Sequence, residues 1–187
     1  MGKIIVSNYV TLDGFFAGPQ GETDWFVWDD ETASYAKELM ASIDTILFGR
    51  VTYELMAGYW PTASPPAEDP VIIDYMNTTA KIVFSRSLAK ADWKNTQVVK
   101  EIDKDDILKM KQECGRNMVI YGSGSIVSAL TRTGLIDEYL LFVNPVVLGS
   151  GKPLFSGMQS KFDLKLLGTR TFQCGVVVLR YQPVTRD

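Results

Sequence analysis

The chain has 187 residues, of which 46% are hydrophobic and 22% charged, and its net charge is −3. This length suits a single domain over residues 1–187 with a sizeable core, and the acidic balance argues against nucleic-acid binding. The chain contains no histidine, which excludes Ser-His-Asp triads, histidine-ligated zinc and histidine acid–base catalysis.

The apolar run in the amino-terminal segment is too short for a signal peptide, and no apolar stretch approaches the length of a membrane span. Cys114 and Cys174 stand far apart, without the spacing of a metal or redox motif. We therefore expect a cytoplasmic protein with reduced cysteines, no bound metal and no membrane contact.

Strands and helices alternate in the first half of the chain. The segment KIIVSNYV at 3–10 predicts a buried strand, and an apolar stripe predicts a helix over 29–43. TILFG at 45–49 predicts the next strand, followed by a short helix over 50–57. The proline-rich segment 61–70 predicts a surface loop ahead of a helix near 72–76.

The second half continues this alternation and ends differently. Strands are predicted at 80–85, 96–99 and 117–121, with a helix over 103–114 that Asp103 caps and another that Gly134 ends. A long strand over 137–148 precedes two alternating segments, 162–172 and 175–182. The order predicts an α/β fold, with a mostly parallel central sheet, helices on both faces and an antiparallel C-terminal hairpin.

Three predicted strands end in small or cationic residues suited to an anion. They are followed by Gly49 with Arg50 and Thr52, by Ser85 and Arg86, and by the turn 122–125, GSGS. A helix N-terminus exposes unpaired N–H groups, and ligands bind at the carboxyl edge of parallel sheets. A plain structural turn is the alternative at each place. The glycine spacing matches neither a Walker loop nor a Rossmann fingerprint.

The chain resembles the dihydrofolate-reductase-like superfamily in five segments that occur in one order: LDGFFAG, GRVTYE, KIVFSRS, VIYGSGSIVSAL and IDEYLLFVNPVVLGSGKPLF. The resemblance extends over roughly residues 3–181. It is closest to the reductase domain of bacterial riboflavin biosynthesis and its stand-alone relatives. It implies a central sheet of eight or nine strands and NADPH as the cofactor.

The resemblance also implies which residues contact that cofactor. Ser85 and Arg86 would bind the adenosine 2′-phosphate, and two helix starts would bind the pyrophosphate. The pyrophosphate contacts would come from Gly49, Arg50 and Thr52 at one helix start, and from Gly122, Ser123, Gly124, Ser125 and Ile126 at the other.

Hydride transfer needs orientation and exclusion of water more than it needs reactive side chains. Asp13 and Asp24 are the candidate catalytic acids, with a turn carboxylate and a surface carboxylate as the alternatives. The candidate substrate contacts have core packing or a turn position as their alternatives; they are Trp25, Tyr53, Trp60 and Lys152.

Two departures from the family pattern bear on the substrate. The H-A-E and P-C-x-x-C motifs of the fused deaminase domain are absent, and Phe15 replaces a typical basic residue. We therefore expect an NADPH-dependent reductase of a small heterocycle, with reduction of 5-amino-6-(5-phosphoribosylamino)uracil as the leading reaction class. A dihydrofolate or pteridine reductase and a non-catalytic nucleotide-binding protein are the alternatives.

A homodimer is also expected, because relatives dimerise and the closing strands are apolar.

Overall fold

The structure is a computed structural model that describes residues 1–184. It contains ten strands, five α-helices and a short helical turn at Trp60–Thr62. The strands are β1 (Ile4–Thr11), β2 (Phe15–Ala17), β3 (Ile43–Gly49), β4 (Ala80–Phe84), β5 (Thr96–Val99), β6 (Asn117–Ile120), β7 (Glu138–Asn144), β8 (Lys152–Pro153), β9 (Leu164–Thr171) and β10 (Val177–Pro183). The helices are α1 (Asp30–Met40), α2 (Arg50–Tyr59), α3 (Pro70–Thr78), α4 (Lys104–Glu113) and α5 (Gly124–Arg132).

Eight strands form one sheet in the order β5-β4-β3-β6-β1-β7-β10-β9. The first six are parallel, whereas β10 runs antiparallel to both β7 and β9. Helices α4 and α5 contribute to the core on one face of the sheet, and α1, α2 and α3 to the core on the other. The predicted fold class is confirmed.

Three aspartates cap the N-termini of helices and fix where α1, α3 and α4 begin. Asp29 accepts a hydrogen bond from the Thr32 N–H at the start of α1, and Asp69 caps α3, whose first residue is Pro70. The predicted cap of α4 by Asp103 is confirmed. Each cap satisfies backbone N–H groups that a helix leaves unpaired.

The structure differs from the sequence prediction in three places. The helix predicted over 29–43 ends at Met40, and Ile43 instead begins β3 with a side chain that is 2% exposed. The strand predicted over 137–148 ends at Asn144, because Pro145 has no N–H to donate to a ladder. The two-stranded sheet of β2 and β8 has too few residues to show a period in the sequence.

The carboxyl edge of the parallel strands positions the candidate site. Helix α2 follows β3 directly, and α5 follows β6 after a three-residue turn. Because β3 and β6 are neighbours in the sheet, these two helices start side by side.

Two features are absent from residues 1–184. No helix there combines the length and apolar character that crossing a membrane requires. In the same residues, no group of three or more His, Cys, Asp or Glu side chains is placed to hold a metal ion.

Candidate active site

A cleft of about 1360 Å³ lies along the carboxyl edge of β1, β3 and β6. Its walls come from α1, from the starts of α2 and α5, from α3 and from the loop between α2 and α3. Pockets for a single small molecule usually measure about 300 to 1,000 Å³. The cleft is therefore large enough for two ligands side by side.

Hydrogen bonds between their first turns hold the two helix starts together. The Gly49 N–H donates to Ser123 Oγ at 2.7 Å, and the Ser123 N–H donates to Thr52 Oγ1 at 3.0 Å. The Gly122 N–H donates to Asn8 Oδ1 on β1 at 2.8 Å. Side chains of β1 and α2 thus fix the turn before α5.

The turn itself has a left-handed backbone. Gly122 has φ of 64° and Ser123 has φ of 58°, a conformation that glycine adopts freely and serine rarely. A Cβ on Gly122 would lie 3.0 Å from the Thr52 methyl carbon. Gly122 is therefore required by the backbone conformation and by the close approach of α2.

The two helix starts form an anion-attracting end of the cleft. Within residues 1–184, the N–H groups of Gly124 and Ser125 have no hydrogen-bond partner. Arg50, the first residue of α2, also lines the cleft, and its guanidinium pairs with Glu54 at 2.8 Å. Aligned helix dipoles, free N–H groups and a guanidinium are the features that bind phosphate groups.

The part of the cleft around Tyr9 is aromatic and apolar. The Tyr9 ring stacks on Phe142 at 4.6 Å and on Phe26 at 4.9 Å between ring centroids, and Trp28 lies 5.8 Å away. Tyr9 is covered by these two rings and Phe142 is buried, so the flat surfaces open to a planar ligand are those of Phe26 and Trp28, which are 37% and 48% exposed. Further apolar residues of α1, α2 and α3 complete this wall; they include Ala36, Met40, Met56, Ile72 and Met76.

Two buried polar atoms at the floor of the cleft have no partner in the described residues: Asn8 Nδ2 and the Tyr9 hydroxyl. Asn8 is only 3% exposed, and its bond from Gly122 fixes which end of the amide remains free. Burial raises the pKa of Tyr9, so its hydroxyl keeps its proton. Buried polar atoms are almost always hydrogen-bonded, so each of these two has a hydrogen bond left for a ligand or an ordered water to complete.

Most of the predicted cofactor residues lie together. The cleft lining includes Gly49, Arg50, Thr52, Gly122, Ser123, Gly124 and Ser125. Ile126 is buried, and a Cβ on Gly49 would lie 3.2 Å from its side chain, so it supports the turn from behind. Of the predicted substrate contacts, Trp60 and Lys152 line the cleft.

Ser85 and Arg86 lie beyond the lining residues, although Phe84 just before them belongs to the lining. The Ser85 hydroxyl accepts hydrogen bonds from the N–H groups of Ser87 and Leu88 and so closes the turn after β4. The Arg86 side chain is 80% exposed, with Nη2 placed 3.2 Å from Glu101 Oε1.

The other predicted residues lie outside the cleft lining. Tyr53 is 4% exposed and accepts a hydrogen bond from the Trp93 N–H, which corrects its assignment as a substrate contact to a core residue. Asp13 accepts from the N–H groups of Leu148 and Gly149.

Hydrogen bonds, first of all with Thr11, lower the pKa of Asp13. Its carboxylate joins two loops through the bonds from Leu148 and Gly149. Asp24 is exposed, and Trp25 packs edge-on against Phe26. The structure therefore brings neither of the two candidate acids, nor Trp25, to the lining of the cleft.

Asn8, Tyr9 and Phe142 line the cleft but were not found from the sequence. The signal for Asn8 was a polar pair, Ser7-Asn8, inside an otherwise apolar strand. No comparable signal exists for Phe142, which the sequence pattern assigns equally well to the core.

The family model of the RibD C-terminal domain matches residues 2–178. Two Bacillus subtilis strain 168 proteins align with nearly the whole chain. The uncharacterized protein YyaP is 35% identical, over 96% of this chain and 94% of its own length. The uncharacterized protein YwjB is 30% identical, over 91% and 92%.

Solved structures share the fold at low sequence identity. A putative riboflavin biosynthesis protein from Shewanella superposes with a TM-score of 0.79 at 20% identity, over 99% of this chain and all of that one. A Thermotoga maritima deaminase/5-amino-6-(5-phosphoribosylamino)uracil reductase gives 0.70 at 15% identity, over 98% and 57%. An Enterococcus faecalis dihydrofolate reductase complexed with NADP(H) gives 0.65 at 16% identity, over 97% and 96%.

Proposed function

The chain belongs to the RibD C-terminal domain family, and on that premise we propose that it is an NADPH-dependent reductase of a small heterocyclic substrate. One observation carries the proposal. Two helices begin side by side at the carboxyl edge of the sheet, with free N–H groups at one of them, next to an aromatic wall. This arrangement suits a dinucleotide, whose pyrophosphate needs N–H donors and whose nicotinamide needs a flat apolar surface.

The residues present fit such a cofactor. Gly124 and Ser125 would bind the pyrophosphate through their free N–H groups, with Arg50 supplying positive charge. The unpaired Asn8 Nδ2 would donate a hydrogen bond to the bound ligand, next to the turn at Gly122. The nicotinamide supplies the hydride when bound. A dihydrofolate reductase of the same fold is complexed with NADP(H), which supports this choice of cofactor.

The chain's own contribution at the reacting end is orientation and exclusion of water. The exposed rings of Phe26 and Trp28, packed against Tyr9, form the surface against which a planar acceptor would lie. The protonated Tyr9 hydroxyl would donate a hydrogen bond to a carbonyl oxygen or ring nitrogen of the acceptor. Such a donor stabilises charge that develops on the acceptor as hydride arrives.

Family membership favours reduction of 5-amino-6-(5-phosphoribosylamino)uracil, the reductase activity in the name of the Thermotoga maritima neighbour. Dihydrofolate or pteridine reduction is the second candidate, favoured by the shared fold of the Enterococcus faecalis enzyme. A cofactor titration followed by a panel of acceptors tests the proposal. A reductase oxidises NADPH with some acceptor, whereas a non-catalytic nucleotide-binding protein shows saturable binding alone. Absence of NADPH binding would contradict both the reductase and the nucleotide-binding protein.

Arg86→Ala is expected to weaken NADPH binding by about 3- to 10-fold and to leave NADH binding unchanged. A charge-assisted contact to the 2′-phosphate is worth up to about 3 kcal/mol, but the Arg86 side chain is 80% exposed and already paired with Glu101. Exposed pairs are screened, which reduces the effect. Calorimetric titration of each cofactor measures the loss of affinity.

The control is Lys90→Ala, which removes an exposed lysine that is likewise paired with a carboxylate, that of Asp92. Equal loss for both cofactors would refute the assignment.

We also propose that the protein forms a homodimer through β9. This strand ends the sheet and carries Leu166 and Leu167, which are 50% and 42% exposed. An edge strand with exposed leucines is a template for pairing with a second copy. Light scattering at micromolar concentration is expected to give twice the chain mass, and Leu166→Lys to lower it. A monomeric mass for the unaltered chain would contradict the proposal.

A further inference from the structure

Two tyrosine hydroxyls meet on the face of the sheet that carries α1, α2 and α3. Tyr121 directly follows β6 and lines the cleft, and its hydroxyl lies 3.2 Å from the hydroxyl of Tyr75 on α3. Tyr75 lies outside the cleft lining, and its hydroxyl has no other partner in residues 1–184. One phenol proton therefore makes the bond between the two side chains, and the other proton is left over.

The surroundings of the two hydroxyls decide which of them donates. If Tyr121 donated, the Tyr75 proton would have no acceptor, at a site where burial is the main cause that raises the pKa of Tyr75. A buried polar group without its hydrogen bond is costly. If Tyr75 donates instead, its proton is satisfied, and the Tyr121 proton is free for a ligand in the cleft. Burial also raises the pKa of Tyr121 to about 12, so this proton is retained at neutral pH.

The polar side chains beside Tyr121 on this face of the floor are hydroxyls rather than carboxylates. Ser7 and Tyr9 on the neighbouring strand β1 line the cleft, and neither hydroxyl has a partner in the described part of the chain. The carboxylates of the cleft lining belong instead to α1 and to the segment that leads into α3; they are Asp30, Glu68 and Asp69. The last two are already bonded to side chains of α2 and α1.

We infer that Tyr121, held by Tyr75, is a second hydrogen-bond donor to the acceptor, and that the acceptor turns carbonyl oxygens rather than amino groups toward the floor. This inference rests on the proposed reductase function and narrows its substrate. A carbonyl oxygen accepts a phenol proton, whereas an amino group could only donate to the phenol oxygens and would leave their protons unpaired. Tyr121 serves the acceptor rather than the cofactor's phosphates, because its hydroxyl lies toward α3, on the opposite face of the sheet from α5. Heterocyclic diones are therefore favoured over amino-substituted pteridines.

Two pteridines that differ only in the groups on one edge of the ring test the inference. Lumazine carries two carbonyl oxygens there, and 2,4-diaminopteridine carries two amino groups. Each compound is titrated by calorimetry at pH 7, into the free protein and into the protein saturated with NADP⁺. Lumazine is expected to bind about 10-fold or more tightly than the diamino compound. Equal binding, tighter binding of the diamino compound, or no binding of either would overturn the inference.

Tyr121→Phe removes the inferred donor and keeps the ring. It is expected to weaken lumazine binding about 5-fold and to change the binding of 2,4-diaminopteridine and of NADPH by less than about 2-fold. The matched control is Tyr139→Phe, which removes a buried hydroxyl that lies 2.8 Å from Thr131 Oγ1, outside the cleft lining, and is expected to keep the full preference for lumazine. A preference unchanged in Tyr121→Phe would show that Tyr121 is not the donor.

Tyr75→Phe tests the residue that holds Tyr121. It is expected to lower the preference for lumazine by about 2- to 3-fold, because the Tyr121 hydroxyl remains but is no longer oriented. Equal weakening of both pteridines would instead make Tyr75 a purely structural residue and refute its part in the inference.

A separate titration with NADPH distinguishes this inference from the proposed function. Failure of NADPH to bind contradicts the reductase, and the titrations into the free protein still test the donor. Normal NADPH binding without a preference for lumazine contradicts the acceptor class alone. If Tyr121→Phe weakened NADPH binding as much as lumazine binding, Tyr121 would belong to the cofactor site and the inference would be wrong.

Discussion

Ser125→Asp is expected to lower the affinity for NADPH by on the order of 100-fold while leaving the thermal stability of the protein unchanged or slightly raised. Ser125 is an exposed second residue of α5, and its N–H has no partner within residues 1–184. A carboxylate there complements the helix dipole, which is worth about 0.3 to 1 kcal/mol to folding. The same carboxylate would repel a pyrophosphate bound at the helix start by about 3 kcal/mol.

Opposite signs for stability and affinity make this variant informative. Calorimetric titration gives the affinity, and a melting curve without ligand gives the stability. Ser125→Asn, which has nearly the same shape without the charge, is expected to change NADPH affinity by less than about 3-fold. Salt should reduce the loss in Ser125→Asp, since part of the repulsion passes through solvent. If Ser125→Asp bound NADPH with wild-type affinity, the start of α5 would not be part of the cofactor site.

The backbone of the site could be predicted because it depends on local rules. A run of apolar residues followed by glycine and a helical period describes both β3 with α2 and β6 with α5. Parallel pairing then requires the two helix starts to meet at one edge. Gly49 and Gly122 were therefore predictable as members of one site, although they are far apart in the chain.

The side chains that complete the site depend on pairings which no local rule supplies. Asn8 lies in the cleft because its amide accepts a bond from Gly122, 114 residues away. Tyr53 illustrates the converse, since an aromatic residue early in α2 suits a ligand wall and a core equally well. Its contact with Trp93, 40 residues later in the chain, decides for the core.

The position of the two candidate acids outside the cleft lining was unpredictable for a related reason. A carboxylate in an Asp-Gly turn is placed either to close its own loop or to face a ligand, and the sequence is the same in both cases. Which of the two roles Asp13 takes depends on the loop at Leu148 and Gly149, because the carboxylate accepts hydrogen bonds from their N–H groups. That loop lies more than a hundred residues away, beyond any pattern read along the chain.

Asn8→Asp is expected to weaken NADPH binding by about 10- to 100-fold at pH 8. The carboxylate keeps an oxygen to accept the Gly122 N–H, but it replaces the free Nδ2 donor with a second acceptor. A ligand oxygen that Nδ2 contacts in the wild type would then face negative charge. The expected loss of NADPH affinity combines the loss of one charge-assisted hydrogen bond with this repulsion.

The same substitution introduces a pH dependence with a definite sign. Asn8 is 3% exposed, so burial would raise the pKa of the new carboxyl above its unfolded value of about 3.9. The loss of stability is then full above the raised folded-state pKa, and it fades as the pH falls toward the unfolded value. Protonation also restores a donor, so NADPH affinity should recover in part at pH 5.5 relative to the wild type at that pH.

A matched buried asparagine distinguishes ligand binding from general damage. Asn144 is fully buried, but its amide is satisfied by the Val27 N–H and by the carbonyls of Val10 and Phe142, and it lies outside the cleft lining. Asn144→Asp is expected to lower the melting temperature at least as much as Asn8→Asp, because its carboxylate would oppose two carbonyl oxygens. Its folded fraction should nevertheless bind NADPH with wild-type affinity. If both variants lost affinity in proportion to their stability, Asn8 would be a structural residue without a ligand contact.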